Sequence, residues 1–175
     1  MALKRLCLLL FALLAPAATA VAPARAAEAA SEQAVRAVLL FNFVKFTEWP
    51  ATTLGDHQLR VCIATNDSAQ VAAIEALDER QVHGKPLAAV RFRRQADCSV
   101  IYVDSRQRWT EISDHYAIGH VLTIGSYAGF VADGGMIEIS LQEGHPRFDI
   151  NLLEAKRAGL RVYPQLLRLA RRILE

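Results

Sequence analysis

The chain has 175 residues, of which 53% are hydrophobic and 22% are charged, with a formal net charge of +2. This length and composition are typical of one globular domain with a hydrophobic core. A charge so close to neutral provides no electrostatic footprint for nucleic acid, so nucleic acid is not expected as a partner.

The first 26 residues are predicted to be a secretory signal peptide. Lys4 and Arg5 precede an apolar run, and A-x-A cleavage motifs end at Ala20 and Ala26. The apolar run is too short to span a bilayer, and nothing later in the chain is long or apolar enough to do so. We therefore expect export to the periplasm, cleavage after Ala26 and a single mature domain, residues 27–175, with no transmembrane span of its own.

Cleavage changes both the charge and the cysteine count. The removed segment holds three basic residues and no acidic one, so the formal charge falls from +2 to −1. It also removes Cys7 and leaves Cys62 and Cys98. An even number of cysteines in an exported chain favours a disulfide, because the periplasm is oxidising. Two buried free thiols are the alternative.

The first predicted helix starts near Ser31, an acceptable N-cap, and ends before Pro50. At about 100° per residue it carries two apolar faces. One face holds Val35, Val38, Leu39, Phe43, Phe46 and Trp49, and the other holds Ala37, Leu40, Phe41 and Val44. A helix that is apolar on two sides is either sandwiched in the fold or covers something outside it.

Strands and helices then alternate along the chain. The predicted strands are Leu59–Ala64, Leu87–Phe92, Ser99–Val103, His120–Ile124, the hairpin pair Met136–Leu141 and Arg147–Asn151 with a turn at Glu143-Gly144, and Leu160–Val162. The predicted helical segments are one capped by Asn66-Asp67-Ser68 and ending near Leu77, then Gln107–Tyr116, Ser126–Ala132, Leu152–Ala158 and Pro164–Leu174. This alternation predicts a three-layer α/β domain with a largely parallel sheet, helices on both faces and an added antiparallel hairpin.

The chain offers no arrangement of residues with reactive or ligating spacing. The histidines have no metal-ligand spacing and are His57, His83, His115, His120 and His145. The segment G-S-Y-A-G, residues 125–129, follows a strand but lacks G-x-G-x-x-G, and no G-x-S-x-G elbow occurs. Glu138 and Glu143 alternate on a hairpin, which is typical of a solvated face. We therefore expect no catalytic residue, no metal and no cofactor, and the chain is not expected to be an enzyme.

Two segments carry candidate binding residues. In R-F-D-I-N, residues 147–151, Asn151 can cap the next helix, or Arg147 and Asn151 can line a groove for a partner segment or a small ligand. In the last predicted helix one apolar stripe is flanked by arginines; these residues are Leu166, Leu169, Ala170 and Ile173, with Arg168, Arg171 and Arg172. The arginines either complement the helix dipole or rim an apolar patch for an acidic ectodomain or lipid headgroups. Phe41, on the first helix, is the other candidate for a partner-facing residue.

Two motifs resemble a known family. Residues 134–160 read GGMIEISLQEGHPRFDINLLEAKRAGL, and residues 41–50 read FNFVKFTEWP. In this order they are similar to the YfiR-like family of small periplasmic proteins, whose members repress membrane-bound diguanylate cyclases from the periplasmic side. The resemblance extends over about residues 33–173.

The resemblance implies a regulator that binds the periplasmic domain of an inner-membrane protein, with a diguanylate cyclase as first candidate. YfiR-like proteins commonly carry a disulfide at positions matching Cys62 and Cys98, and the second bridge that some members have lacks its cysteines here. The alternative function is a small-ligand-binding periplasmic module that acts with a sensor kinase or an outer-membrane receptor. A homodimer is kept as an alternative to a monomer.

Overall fold

The computed structural model describes residues 22–51, 58–116, 118–142 and 145–175, with side chains described from Glu32 onward. Most of the predicted signal peptide, with Cys7, lies outside the described residues. So do His57 and the predicted turn at Glu143-Gly144.

Five helices and ten strands make up the described part of the chain. The helices are α1 (Ala22–Lys45), α2 (Ser68–Glu75), α3 (Arg106–Ser113), α4 (Leu152–Arg157) and α5 (Pro164–Leu167). The strands are β1 (Thr47–Glu48), β2 (Leu59–Ala64), β3 (Gln81–Val82), β4 (Lys85–Arg91), β5 (Val100–Val103), β6 (Leu122–Gly125), β7 (Ile137–Gln142), β8 (His145–Asn151), β9 (Arg161–Val162) and β10 (Arg172–Leu174).

Eight of the strands form one mixed sheet in the order β10-β8-β7-β6-β5-β2-β4-β3. Its centre is parallel, from β4 through β2, β5 and β6 to β7. β7 and β8 form the predicted antiparallel hairpin, and β10 returns parallel to β8. β1 and β9 pair separately as a short antiparallel ribbon. The predicted α/β fold class is confirmed.

The two faces of the sheet bury two different sets of side chains. Because side chains alternate along a strand, Val61 and Ile63 of β2 join the core cluster that also takes residues from α1, α2 and α4. Cys62 and Ala64 point to the opposite face and join a smaller cluster with residues of α3. Helices therefore cover both faces, and the molecule has the three layers that the sequence predicted.

α1 differs from its prediction in its start and in its buried side. It begins at Ala22 rather than near Ser31, because the alanine-rich residues before Ser31 have high helix propensity. Its buried residues draw on both predicted faces and are Ala37, Leu40, Phe43 and Val44, while Val38 remains 57% exposed. In its described side chains α1 thus has one buried stripe at i, i+3 and i+4 spacing, and the apolar Val38 lies outside that stripe.

The predicted C-terminal helix is wrong beyond its first turn. α5 ends at Leu167, and the chain continues as strand β10 along the outer edge of β8. A short helix gains little stability unless an apolar face packs, whereas β10 satisfies backbone groups of the β8 edge. The segment predicted as a helical turn after Ser126 likewise consists of turns, with Gly129 at φ +93°.

Candidate partner-binding surface

The β8–β10 edge of the sheet is anchored by a buried carboxylate. The side chain of Asp149 has 0% exposure and receives two parallel hydrogen bonds from Arg171, from Nε to Oδ1 at 2.8 Å and from Nη2 to Oδ2 at 2.7 Å. Arg172 Nη2 donates a third to Oδ2 at 2.9 Å. These hydrogen bonds, those of Arg171 above all, hold the pKa of the Asp149 carboxyl below its ordinary value against the opposing effect of burial.

The sequence pattern did not reveal this anchor. Alternation puts Asp149 on the face of β8 opposite Phe148 and Ile150, yet all three residues are buried. In a sheet covered on both faces, neither side of a central strand meets water. An acidic residue in such a strand needs a cationic partner, and the adjacent arginine pair near the C-terminus was the available signal.

Four of the predicted binding residues lie at this edge with exposed side chains. Leu169 is 73% exposed and Ile173 is 36% exposed, and Arg147 and Arg168 are also exposed. The Arg171 amide donates to the Phe148 carbonyl at 2.9 Å, which places the segment before β10 beside the start of β8, where Arg147 lies. We call Arg147, Arg168, Leu169 and Ile173 the edge patch. It extends over both faces of the sheet edge, because Ile173 is paired with Ile150 and shares its face, whereas Arg147, three positions before Ile150, points to the opposite face.

Two further predicted residues lie beneath this surface. Asn151 is 8% exposed and Leu166 is 3% exposed. Asn151 caps α4, because its Oδ1 accepts from the Glu154 amide at 3.1 Å, and its Nδ2 donates to the Val131 carbonyl at 3.1 Å. Leu166 packs into the larger core cluster. Both residues therefore support the edge patch from inside the fold.

Phe41 lies on α1, outside the edge patch. It is half-buried against the larger core, and the Arg80 guanidinium sits 4.5 Å above its ring. Phe43, two residues further along α1, packs edge-on against Phe148 of β8 with ring centroids 5.0 Å apart. α1 therefore passes close to the β8–β10 edge, while the Phe41 ring itself contacts Arg80.

Cys62 and Cys98 form a disulfide, with their Cα atoms 5.8 Å apart. Cys62 is 0% exposed and Cys98 is 5% exposed. The bridge ties β2 to the segment that precedes β5, on the face of the sheet that α3 covers. It is thus remote from the edge patch and stabilises the middle of the sheet.

The segment G-S-Y-A-G is also structural. A Cβ atom added to Gly125 would lie 2.3 Å from Cγ of Phe130, so close packing requires a glycine there. The Ser126 hydroxyl is 2.8 Å from the hydroxyl of Tyr102, and burial raises the pKa of that tyrosine to about 12. The Tyr102 side chain is therefore neutral at physiological pH.

Glu138 corrects another expectation from the sequence. The residue is 6% exposed and not part of a solvated face. Its Oε2 accepts from the backbone amides of Gly129 at 3.2 Å and Val131 at 3.3 Å. A buried carboxylate that accepts backbone N–H groups fixes a turn, and here it holds the loop between β6 and β7.

Within the described ranges, no group of three or more His, Cys, Asp or Glu side chains is placed to hold a metal ion. Nor does any helix there have the length and apolar character needed to cross a bilayer.

These features define a three-layer α/β protein with a disulfide in the middle of its sheet and a cationic, partly apolar edge. The sequence profile of the YfiR/HmsC-like family matches residues 33–171, and the chain belongs to that family.

No curated protein matches the chain. A crystal structure of a conserved domain protein from Vibrio cholerae O1 biovar El Tor str. N16961 is similar, with 12% sequence identity and a TM-score of 0.48. The similarity covers 80% of this chain and 60% of that one.

Proposed function

We propose that this protein binds the periplasmic domain of an inner-membrane diguanylate cyclase and holds the cyclase inactive. The observation that carries the proposal is the match of the YfiR/HmsC-like family to residues 33–171. Binding restrains the cyclase if the regulator has a higher affinity for the inactive conformation than for the active one. An envelope signal that displaces the regulator then releases the enzyme.

The edge patch is the surface proposed to contact the cyclase. Leu169 offers an apolar side chain with 73% exposure, and Ile173, four positions later, is 36% exposed. Large exposed apolar groups near polar ones are typical of interfaces. Arg147 and Arg168 add positive charge, which favours an acidic surface on the partner. Asn151 and Leu166 act in this proposal by holding the patch in position, and Phe41 contributes to the stability of α1.

Export precedes this function. We propose that the chain enters the periplasm and is cleaved after Ala26, which leaves the proposed single domain of residues 27–175. Mass spectrometry of the periplasmic fraction should find a chain that begins at Ala27, or at Val21 if the earlier motif is used. An intact chain that begins at Met1 and accumulates in the cytoplasm would contradict the proposed location.

Deletion of the gene tests the function, and two aspartate substitutions test the surface. Deletion should raise cyclic-di-GMP and surface attachment. Leu169→Asp should also raise cyclic-di-GMP at unchanged protein level, because it places a charge in an apolar contact worth about 1.5–3 kcal/mol when fully buried. The matched variant is Val38→Asp, on α1 with 57% exposure, which should leave cyclic-di-GMP unchanged.

The outcomes distinguish failure of the proposed function from failure of the proposed contact surface. Unchanged cyclic-di-GMP in the deletion strain, under conditions where the wild-type protein is abundant, would refute restraint of a cyclase. A rise with Val38→Asp and none with Leu169→Asp would move the contact to α1 and leave the function intact.

A further inference from the structure

A groove opens at the carboxyl ends of β2 and β5, on the face of the sheet that α3 covers. Its volume is about 380 Å³, and its walls are formed by Asn66, Asp104, Ser105, Gln107, Arg108 and Glu111. A side pocket of about 80 Å³ adjoins it, shares Arg108 and Glu111, and is otherwise lined by Ala64, Phe92, Arg94 and Ile112. The groove is therefore polar at its mouth, and the side pocket combines the apolar Ala64, Phe92 and Ile112 with charged residues.

The position of the groove follows from the strand order. β2 lies between β4 and β5 and is parallel to both. The chain leaves β2 through α2 toward β4 on one side, whereas β5 leads through α3 to β6 on the other. In open α/β sheets the loops diverge at such a switch point, and the crevice between them, at the carboxyl ends of the strands, is where ligands bind.

Asp104 lies directly after β5 and lines this groove, and its carboxylate has unfilled hydrogen-bond acceptor sites. The buried Thr65 hydroxyl donates to Oδ2 of Asp104 and accepts from the Asp67 amide at 2.9 Å. Oδ1 has no hydrogen-bond partner, and Nε of Arg108 lies 3.7 Å from it. A carboxylate accepts about four hydrogen bonds, so the single donor Thr65 orients Asp104 and leaves acceptor sites unfilled, of which Oδ1 is itself shielded from solvent in this structure.

We propose that this groove binds a small amine with an apolar tail. The ammonium group would lie at the mouth beside Asp104, whose side chain is 29% exposed, with Glu111 adding a second negative charge. The tail would enter the side pocket against Phe92 and Ile112. A volume of about 380 Å³ falls in the range of small-ligand sites.

This inference does not depend on the cyclase or on the edge patch. The test is a ¹H–¹⁵N NMR titration of the oxidised mature protein with benzylamine, with benzyl alcohol and benzoate as the neutral and anionic counterparts. Benzylamine should give saturable shifts at the amides of Asn66 and Ser105, with an affinity in the millimolar range expected for a ligand of this size, on the order of 10⁻³ M. Benzyl alcohol and benzoate should bind at least about tenfold more weakly, a loss of roughly 1.4 kcal/mol.

Two isosteric Asp→Asn variants test whether benzylamine recognises the negative charge of Asp104. Asp104→Asn keeps the acceptor for the Thr65 hydroxyl and removes the negative charge, so benzylamine affinity should fall at least about tenfold. The matched control is Asp114→Asn at the C-terminal end of α3. Asp114 is exposed and is not among the residues that line the groove. It should bind benzylamine as the wild type does.

Three results would overturn the proposal. The first is the absence of saturable shifts around Asn66 and Ser105, and the second is equal binding of benzylamine and benzyl alcohol. The third is an equal loss of affinity in the Asp104 and Asp114 variants. Circular dichroism and thermal melting of each variant establish that the compared proteins are folded.

Discussion

Two aspartates at different places in the sheet show how surroundings separate a structural carboxylate from an available one. Asp149, at the β8–β10 edge, has 0% side-chain exposure and receives three hydrogen bonds from two guanidinium groups. Asp104, which follows β5, has 29% side-chain exposure, accepts a hydrogen bond from one neutral hydroxyl and forms a longer ion pair with Arg108 at 3.7 Å. Both are single carboxylates at the margin of the core, yet one has nearly all its acceptor sites filled.

The difference has an energetic cause. Removal of a carboxylate from water is costly unless cations and hydrogen bonds replace the lost solvation. At Asp149, Arg171 and Arg172 provide that replacement and at the same time attach the C-terminal strand. At Asp104 solvent still provides part of it, so a ligand with a cationic group can take the place of water.

Different interactions stabilise the two regions. Removal of the disulfide, which lies on the face of the sheet that α3 covers, is expected to cause the largest loss of unfolding free energy. The loop closed by Cys62 and Cys98 spans 36 positions, for which the chain-entropy model gives about 4 kcal/mol as an upper value. The double variant Cys62→Ser, Cys98→Ser should therefore lose about 2–4 kcal/mol of unfolding free energy in chemical denaturation.

Reduction provides the control for this prediction. Wild-type protein unfolded under strong reductant should show the same loss, because serine and a free thiol are similar in size. Thiol labelling of denatured, unreduced periplasmic protein should find no free thiol. A loss below about 1 kcal/mol in the variant would mean that the bridge contributes little to stability.

Disruption of the ion pairs between Asp149 and the two arginines at the β8–β10 edge should cause the next largest loss of stability. Asp149→Asn keeps the shape of the side chain but removes the charge that Arg171 and Arg172 share. We expect a loss of about 2 kcal/mol, below the 3–5 kcal/mol of a fully buried pair, because both arginines can regain water. The surface variant Asp114→Asn should change stability by less than about 0.5 kcal/mol. Equal stabilities of the two variants would show that Asp149 does not anchor β10.

The pH dependence of this loss identifies its source. Because the folded-state pKa of Asp149 lies below its ordinary value of 3.8, ionised Asp149 stabilises the folded protein fully above that value. The contribution is lost as the pH falls through the folded-state pKa. The stability difference between wild type and Asp149→Asn should thus be constant near neutral pH and shrink in acid. A difference that stays the same down to the acid transition would point to shape rather than charge.

Asn151 tests the same edge without a charge. Its side chain accepts from the Glu154 amide and donates to the Val131 carbonyl. Asn151→Ala should cost about 1–2 kcal/mol through the lost helix cap and one unpaired buried carbonyl. Asn151→Asp, which keeps the cap but not the donor, should recover part of this loss. Thermal or chemical unfolding of the two variants distinguishes the contributions.

Local patterns predicted the elements whose stabilising contacts are local. The cap of α2 at Asp67 and the β7–β8 hairpin were predicted, and a cap of α4 was one of the two roles considered for Asn151, because turn and cap chemistry acts within a few residues. The pairing of Cys62 with Cys98 could be predicted, because only two cysteines remain if the proposed signal peptide is removed.

Features that depend on contacts between distant parts of the chain could not be predicted from local sequence patterns. The final segment is rich in leucine, alanine and arginine and has helical periodicity, yet its pairing with β8 and with Asp149 decides its conformation. Glu138 and Asp149 lie on hairpin strands that are covered on both faces, which alternation along one strand cannot show. The groove at Asp104 requires the order of β4, β2 and β5, and that order follows from crossover connections.

The smallest expected change in stability is at Asp104, and it completes the comparison with Asp149. Asp104→Asn retains an acceptor for the Thr65 hydroxyl, and the residue is partly exposed, so the unfolding free energy should change by less than about 0.5 kcal/mol. Its effect should instead lie in binding, where benzylamine affinity falls. The Asp149→Asn variant should behave in the opposite way, with reduced stability and unchanged benzylamine affinity at temperatures where it is folded. Chemical denaturation and NMR titration of both variants measure the two quantities side by side. If Asp104→Asn proved as destabilising as Asp149→Asn, the Asp104 carboxylate would be a structural group like that of Asp149. The proposed difference between the two aspartates would then be wrong.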